Sequence, residues 1–354
     1  MKLSNLNSIL LFVLLTVGIS ACKHDFVPAE IPETATPYHL EIPKGFPPME
    51  IPNDNPMTEE GVELGRKLFY DKRLSGDETL ACASCHQSKA SYADSNQFST
   101  GIDGSVGNRN AMAVINVGYS FSLFWDGRAA TLEAQALGPV VNPIEMNTTW
   151  PAVLVKLNED TYYRNMFKIA FGVDVIDSLD VAKAIAQFER TMLSGNSRYD
   201  KSLSGGPILT ESERRGQDIF LTEKGDCFHC HGTGLFMGFD YENNGVQQSM
   251  TDNGLGDITQ LSTDIGKFKP PTLRNIEFSA PYMHDGRFTT LEEVVEFYNS
   301  GVNQNSPNVS ALMLKSNRPN GSLNLTVQQK QDLVAFLKTL SDSDFTENPN
   351  FMQP

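Results

Sequence analysis

The residues with the clearest chemistry in this sequence form two short motifs. Each has two cysteines separated by two residues and followed directly by a histidine. The first motif is Cys82, Cys85 and His86, and the second is Cys227, Cys230 and His231. This spacing is typical of c-type haem attachment, in which two thiols bond to the haem and the adjacent imidazole ligates the iron. The motifs contain four of the five cysteines in the chain, so we expect two covalent c-type haems rather than disulfides or a zinc site.

Composition narrows the class of protein that carries these motifs. The chain has 354 residues, of which 40% are hydrophobic, and 28 basic and 43 acidic side chains give a net charge of −15. This length is typical of about two domains, and the apolar content excludes a disordered chain. The negative charge argues against nucleic acid as a partner, because nucleic-acid binding depends on neutralising phosphates. It fits basic partners, although most acidic surface is simply solvated.

The first 22 residues read as an export signal. Lys2 is their only charge, and the apolar run from Ile9 to Ile19 is too short to span a bilayer. The ending Ile19-Ser20-Ala21-Cys22 resembles a bacterial lipobox, which would be cleaved before Cys22 and lipidated there. The alternative is an ordinary secretory signal that retains a cysteine. We expect a periplasmic or cell-envelope location and a lipid anchor. Residues 23–56 contain eight prolines and no periodic pattern, which predicts an extended tether.

The two haem motifs lie in a repeated frame. A segment resembling an N-capped helix precedes each motif, starting at Thr58 and at Thr210, and includes Gly65 in the first copy and Gly216 in the second. Glycine at these positions would allow another helix to approach closely. After each motif the pairs Arg109-Asn110 and Arg274-Asn275 correspond, as do residues 126–133 and 285–292. The repeat predicts two homologous haem domains, 57–205 and 206–354.

Helical periodicity dominates the rest of the chain. Apolar residues recur at helical spacing in 180–193 and 326–340, long alternating strand patterns are absent, and the glycine-rich stretch 232–266 reads as a loop. The predicted fold is therefore mainly α, with two tandem cytochrome c-type domains that each carry one covalent haem.

The iron ligands opposite the proximal histidines bear on the function. Of six histidines, two are proximal ligands, His24 and His39 lie in the tether, His229 lies inside a haem motif, and His284 remains. At least one iron must therefore use another residue type or keep an open position, as a peroxide-activating haem does. Tyr298 falls on the buried face of a helix that begins near Thr290, where a core tyrosine is the simpler interpretation.

A second candidate for chemistry is a carboxyl in an apolar setting. Glu145 follows Pro143-Ile144 and precedes Met146. An apolar environment would raise the pKa of this carboxyl and suit it to acid–base work. A surface glutamate is the alternative that the pattern leaves open.

From about Met57 to Leu340 these features closely resemble the bacterial dihaem cytochrome c peroxidase family, which includes MauG. The shared motifs are Leu74-Ser75-Gly76, Phe124-Trp125-Asp126-Gly127-Arg128-Ala129, the segment from Gln135 to Glu145, and Pro271-Thr272-Leu273-Arg274-Asn275 leading to Pro281-Tyr282-Met283-His284-Asp285-Gly286. The resemblance implies a peroxidatic first haem and an electron-transferring second haem. It also implies that Glu145 moves protons beside Gln135 and that Trp125 relays electrons between the haems.

The resemblance implies one further bound ion. Asn110, together with backbone oxygens near Ser279 and Pro281, would match the calcium site that the family has between its haems. It also allows a homodimer.

Two positions depart from the usual family pattern. Where typical peroxidases place a histidine ligand to the resting first haem, this chain has Ile102, which implies an open first iron. Where they place a methionine ligand to the second haem, fourteen residues after His284, this chain has Tyr298, as MauG does. The resemblance therefore reverses the core-tyrosine interpretation. A phenolate ligand favours Fe(III) and should lower the potential of the second haem.

Three functions follow from these expectations. The first is a cytochrome c peroxidase that reduces hydrogen peroxide with electrons from a small donor protein such as a c-type cytochrome. The second is a MauG-like oxidase that oxidises side chains of a partner protein using high-valent iron, which Ile102 and Tyr298 favour. The third is an electron carrier without a substrate, against which an open first iron and Glu145 both argue.

Overall fold

The computed structural model describes residues 32–232, 234–314 and 322–354, and these are mainly helical. The described ranges contain isolated β-bridges and no β-strand. Within them, no helix combines the length and the apolar character needed to cross a bilayer. The expected export signal and Cys22 lie outside the described residues.

The N-terminal half is built around one pair of crossed helices. Its helices are α1 (Glu59–Phe69), α2 (Cys82–Cys85), α3 (Leu132–Val141), α4 (Trp150–Glu159), α5 (Thr161–Phe171), α6 (Ser178–Thr191) and α7 (Arg198–Leu203). Helix α1 packs against α6, which begins two residues before the periodicity predicted. A Cβ on Gly65 would lie 1.9 Å from the carbonyl oxygen of Ala184, so only glycine permits this crossing.

The C-terminal half repeats this arrangement. Its helices are α8 (Glu211–Phe220), α9 (Gly256–Thr259), α10 (Leu291–Glu296), α11 (Val327–Lys338) and α12 (Ser343–Thr346). Helix α8 begins with the expected capping box between Thr210 and Glu213 and packs against α11. A Cβ on Gly216 would lie 1.9 Å from the carbonyl oxygen of Asp332. The two glycines therefore have the same role in both halves, as the sequence repeat predicts.

The repeat also extends to a turn that follows each haem motif. A β-bridge closes the first turn between Leu123 and Ala129, and another closes the second between Tyr282 and Phe288. Within each turn an aspartate accepts hydrogen bonds from the arginine two residues later, Asp126 from Arg128 and Asp285 from Arg287. The corresponding segments 126–133 and 285–292 thus have the same local structure at their start.

Each half has its own apolar core, and the C-terminal end of the chain packs on the N-terminal half. Residues 57–205 bury one large cluster around α1 and α6, and the C-terminal half buries another around α8, α10 and α11. Phe345 and Phe351, near the C-terminus, pack with Phe69 and Tyr92 of the N-terminal half. Helix α12 and the residues that follow it therefore contact the first half, although the repeat assigns them to the second.

The described part of the proline-rich segment is irregular, as expected, but it is packed on the protein. The Asn55 amide donates to Glu133 at 2.7 Å in a buried setting. The Phe46 ring lies 4.5 Å from the guanidinium carbon of Arg274, in the other half. Residues 32–56 are therefore part of the folded body in this structure and do not form a free spacer.

Candidate functional site

The first cysteine motif lies at the edge of a cavity, which we call the first cavity. Cys85 and His86 line it, and Cys82 begins the short helix α2. The His86 Nδ1 atom lies 2.9 Å from the carbonyl oxygen of Tyr92. An Nδ1–H bonded to a carbonyl leaves Nε2 without a proton, which is the form that ligates a metal. Burial also lowers the pKa of His86, which favours the neutral ring.

The second motif has the same arrangement in a separate cavity, the second cavity. Cys227, Cys230 and His231 all line it. The His231 Nδ1 atom lies 3.1 Å from the carbonyl oxygen of Pro271, and burial lowers the pKa of His231 to about 4. The four cysteines are free thiols. Each motif therefore combines two free thiols with one oriented neutral imidazole at the edge of its cavity, a donor set that fits one c-type haem.

Glu145 and Gln135 both line the first cavity. Gln135 lies on α3, and Glu145 lies in the turn that follows this helix. The Asn142 amide donates to Glu145 Oε1 at 2.6 Å. Burial raises the pKa of Glu145 despite this hydrogen bond. The surface alternative for Glu145 is thereby excluded, and the cavity contains a carboxyl suited to proton transfer.

Ile102 lies close to Glu145 along the backbone. Its N–H donates to the carbonyl oxygen of Glu145 at 3.0 Å, and its hydrocarbon side chain has no atom that could ligate iron. Among the described residues that line the first cavity, His86 is the one histidine, and Met112 and Met237 are the thioethers.

Tyr298 lines the second cavity together with Leu291, Val294 and Val295, which confirms the face that the helical spacing predicts. Helix α10 continues as a π-helical turn over Phe297–Gly301, and this turn carries Tyr298.

The hydroxyl of Tyr298 has a partner that sequence reasoning missed. The Asn244 Nδ2 atom lies 3.1 Å from Tyr298 Oη and 3.4 Å from the sulfur of Met283. Burial raises the pKa of Tyr298 above its usual value, so ligation as a phenolate would depend on the charge of a bound metal. Asn244 lies in the glycine-rich loop, where no pattern distinguishes it from its neighbours.

The remaining described histidines of the C-terminal half have other positions. His229 Nε2 lies 3.1 Å from Glu223 Oε1 and 3.0 Å from Asp226 Oδ1, so its ring is engaged outside the second cavity. His284 lines the second cavity and stacks on Phe268, with 3.8 Å between ring centroids. His284 and Tyr298 therefore both belong to the second cavity.

Trp125 lies in the wall between the cavities and lines both of them, as do Asn110 and Lys269. The indole Nε1 donates to the carbonyl oxygen of Asn110 at 2.8 Å, and the Trp125 carbonyl oxygen accepts from the backbone N–H of Lys269 at 2.9 Å. A relay residue must lie between the two haem sites, and Trp125 meets this requirement.

The three positions expected to bind calcium line one cavity. Asn110, Ser279 and Pro281 all lie at the second cavity. The Asn110 amide nitrogen donates to the carbonyl oxygens of Asn96 and Gln97, at 3.0 and 3.2 Å. These bonds use the nitrogen of the amide, so Oδ1 is the side-chain atom suited to a cation.

Two buried charged residues at the cavities were missed by sequence reasoning. Glu189, on α6, lines the first cavity with 6% of its surface exposed, and burial raises its pKa to about 8. Lys269 lines both cavities and is also 6% exposed. Glu189 follows the apolar positions Ile185 and Phe188 on α6, and a charge on a buried helix face was a signal that could have identified it.

Comparison with known proteins gives consistent matches. A family model described as di-haem cytochrome c peroxidase matches residues 59–207. Cytochrome-c peroxidase IdrP1 of Pseudomonas sp. (strain SCT) is 33% identical, with 84% of this chain and 85% of that protein covered. MauG of Methylorubrum extorquens is 34% identical, with 82% and 80% covered. A crystal structure of a MauG-like protein associated with microbial copper homeostasis superposes with a TM-score of 0.81 at 38% identity, covering 90% of this chain and 99% of that one.

Proposed function

Because this chain belongs to the family of dihaem cytochrome c peroxidases and MauG proteins, we propose that it is a peroxidase that reduces hydrogen peroxide to water. Each peroxide consumes two electrons and two protons and yields two water molecules. The bound haems supply the redox chemistry. Peroxide reacts in the first cavity, and electrons enter at the second cavity from a small donor protein such as a c-type cytochrome.

The observation that carries this proposal is the carboxyl of Glu145 in the first cavity. Cleavage of the peroxide bond requires a proton to leave one oxygen and reach the other. A carboxyl whose pKa is raised by burial accepts a proton more readily than an exposed glutamate, and it is therefore suited to take a proton from one peroxide oxygen and return it to the other. The Asn142 amide holds one carboxyl oxygen at 2.6 Å and so restricts the direction of the group. Gln135, on the same cavity, supplies an amide that can orient the peroxide.

The wall between the cavities supports the proposed path of the electrons between the two haem sites. Trp125 contacts both cavities, so an electron that enters at the second haem site has an aromatic side chain on its way to the first. An electron carrier without a substrate would need no proton-transfer group beside the first haem, and Glu145 therefore favours an enzyme.

Peroxide could reach a first haem held by Cys82, Cys85 and His86 only if no further side chain ligated the iron. Ile102 supports this part of the proposal because its side chain has no donor atom. Met112 and Met237 also line the first cavity, and a sulfur atom of either residue could ligate the iron and block access for peroxide. A low-spin first haem in the resting enzyme would show that a side chain ligates its iron and would contradict the proposed access.

The test is steady-state turnover of hydrogen peroxide by the dihaem protein with reduced cytochrome c as the donor. We expect rapid donor oxidation that depends on peroxide, and a loss of about 10²-fold or more in Glu145→Gln. Glu159→Gln is the matched control, because Glu159 is an exposed glutamate on α4. Equal turnover by Glu145→Gln and the control would contradict the proposal.

A second candidate function is oxidation of side chains on a partner protein, as the similarity to MauG proteins suggests. The observation that favours it is Tyr298 at the second cavity with its hydroxyl bonded to Asn244. A phenolate ligand would lower the potential of the second haem and make reduction by a cytochrome harder.

Mass spectrometry of proteins that co-purify with the enzyme distinguishes the two candidates. The second function would be favoured if a partner protein is oxidised only after peroxide is added and only by enzyme with an intact Glu145. Donor turnover without any modified partner would favour the first.

Three further features belong to this proposal. A calcium ion would be held by Asn110 and by backbone oxygens of Ser279 and Pro281, which all line the second cavity. The enzyme would be exported to the periplasm or cell envelope and anchored by a lipid on Cys22. The excess of acidic side chains would favour a donor with a basic surface.

A further inference from the structure

Lys269 is a buried cation in the wall between the two cavities. Only 6% of its surface is exposed, and it lines both cavities next to Trp125. Its backbone N–H donates to the carbonyl oxygen of Trp125 at 2.9 Å. Two residues later, the carbonyl oxygen of Pro271 lies 3.1 Å from His231 Nδ1. The segment that carries Lys269 therefore contacts both the relay residue and the proximal histidine of the second motif.

The ammonium group of Lys269 has one protein hydrogen bond and no acidic partner in the described ranges. Its Nζ atom donates to the carbonyl oxygen of Ser122 at 2.5 Å, whereas an ammonium carries three donors. The other cations that line these cavities differ from it. Arg109 and Arg128 both form ion pairs with Asp126, and Arg109 also pairs with Asp252.

A buried charge without a counter-ion is unfavourable, and proteins normally pair it or neutralise it. Burial lowers the pKa of Lys269 to about 8, so the group is still largely protonated at neutral pH. A positive charge is thus held at the wall of two cavities whose linings are mainly apolar, and two of its three donors have no hydrogen-bond partner among the described residues. The ligand that would complete this site is an anion bound inside a cavity.

We propose that Lys269 binds a propionate carboxylate of a haem held in one of the two adjoining cavities. A c-type haem is bound through its vinyl groups and its iron, so its two propionates remain as free carboxylates. The proposal rests on haem binding and not on which reaction the enzyme performs. It assigns Lys269 a role in positioning the haem and in setting the potential of the iron, beside the residue that relays electrons.

The charge makes this role measurable. A positive charge near an iron disfavours the oxidised state and raises the midpoint potential of the haem. Replacing Lys269 by Met removes the charge and keeps a side chain of similar length. Lys269→Gln also removes the charge but keeps a donor for the Ser122 carbonyl oxygen. Lys269→Arg keeps the charge. Lys267→Met is the matched control, because Lys267 lies two residues away and pairs with Asp264 at 3.0 Å.

The experiment is a spectroelectrochemical titration of the dihaem protein without peroxide, with the haem content of each variant measured by a pyridine assay. We expect two haems in every variant, a lower midpoint potential for one haem in Lys269→Met and Lys269→Gln, and wild-type potentials in Lys269→Arg and Lys267→Met. The haem that shifts identifies the cavity that holds the propionate.

Two results would overturn the inference. Unchanged potentials in both neutral variants would show that the charge does not act on either haem. The same shift in Lys269→Arg as in the neutral variants would show that repacking, and not the charge, is responsible. If Lys269→Met fails to load haem, Lys269→Gln decides between these results. Either failure would leave the peroxidase proposal intact, because that proposal is tested by turnover.

Discussion

The indole nitrogen of Trp125 donates a hydrogen bond to the carbonyl oxygen of Asn110, with 2.8 Å between the two atoms. The N–H of Asn110 donates in turn to the carbonyl oxygen of His284 at 2.7 Å, and the N–H of Lys269 donates to the Trp125 carbonyl oxygen. The tryptophan is therefore tied to the C-terminal half on both sides. This network fixes one indole orientation in the wall between the two cavities.

Trp125→Phe should slow electron transfer between the haem sites while both haems remain attached. Phenylalanine keeps an aromatic ring but loses the hydrogen bond to Asn110 and is harder to oxidise. We expect steady-state peroxide turnover to fall by about tenfold or more, which corresponds to about 1.4 kcal/mol or more of activation free energy. Stopped-flow spectra should show that the donor reduces the second haem at the normal rate. Electron transfer from the second haem to the first should be slow.

The other tryptophan provides the control for this experiment. Trp150 donates its indole N–H to the carbonyl oxygen of Leu137 at 3.2 Å and packs in the N-terminal core, away from both cavities. Trp150→Phe should keep wild-type electron transfer. Equal rates in Trp125→Phe and Trp150→Phe would exclude a relay role for Trp125.

Tyr298→Phe should change the electron paramagnetic resonance spectrum of the fully oxidised protein. We expect the wild type to show one high-spin haem, from the first cavity, and one low-spin haem ligated by His231 and Tyr298. Phenylalanine has no oxygen to ligate the iron, so the low-spin His/Tyr signal should disappear. Tyr282→Phe is the control, because Tyr282 lines the same cavity but donates its hydroxyl to the carbonyl oxygen of Ile276 at 2.9 Å.

The neighbours of Tyr298 determine how this experiment could contradict the ligand assignment. Met283 shares the Asn244 donor with Tyr298, and His284 lines the same cavity. A spectrum unchanged by Tyr298→Phe would exclude the tyrosine as the ligand in the resting protein, and Met283, His284 and Met313, which line the same cavity, would be the candidates.

The pH dependence of peroxide turnover should report the protonation of Glu145. The carboxyl must be deprotonated to accept a proton from peroxide, so activity should fall as the pH decreases through its pKa. Burial raises this pKa, and the acidic limb should therefore lie above the ordinary glutamate value of about 4.3. Rates from stopped-flow mixing with peroxide across the acidic range test this. The limb should be absent from the residual activity of Glu145→Gln and unchanged in Glu159→Gln.

Much of this arrangement could be predicted from the sequence, because it depends on local spacing. Three residues at fixed offsets define each haem motif, and helical periodicity placed Tyr298 on the face that lines the second cavity. The glycines at 65 and 216 marked the two helix crossings correctly, because a side chain there would collide with the facing backbone. Patterns of this kind are set by neighbours along the chain, so they are visible without a structure.

The parts that could not be predicted depend on contacts between distant segments. Asn244 reaches Tyr298 from an irregular loop 54 residues away along the chain, and Lys269 reaches the Ser122 carbonyl from 147 residues away. Phe351 likewise packs on residues of the N-terminal half that are distant from it along the chain. Such contacts produce no periodic pattern in the sequence, because the position of each side chain depends on a partner that is distant along the chain.

Glu189 should make the stability of the protein depend on pH. Its carboxyl is buried beside the first cavity, and this burial raises its pKa to about 8. The charge of Arg190 on the same helix lowers the pKa and that of Glu133 on α3 raises it, but both effects are smaller than that of burial. An unfolded glutamate has a pKa of about 4.3. Between these two values the folded protein binds one more proton than the unfolded chain. Its free energy of unfolding must therefore decrease as the pH rises through this window.

Glu189→Gln removes this dependence because an amide does not ionise. At pH 4 the variant and the wild type should have similar stability, since both side chains are then neutral. By pH 8 the variant should be more stable by up to about 4 kcal/mol, because each unit of pKa shift corresponds to about 1.4 kcal/mol. Urea unfolding of the dihaem protein at several pH values measures this difference, with Glu159→Gln as the exposed control. Parallel stability profiles for Glu189→Gln and the wild type would mean that Glu189 is ionised in the folded protein and has a partner that offsets its burial.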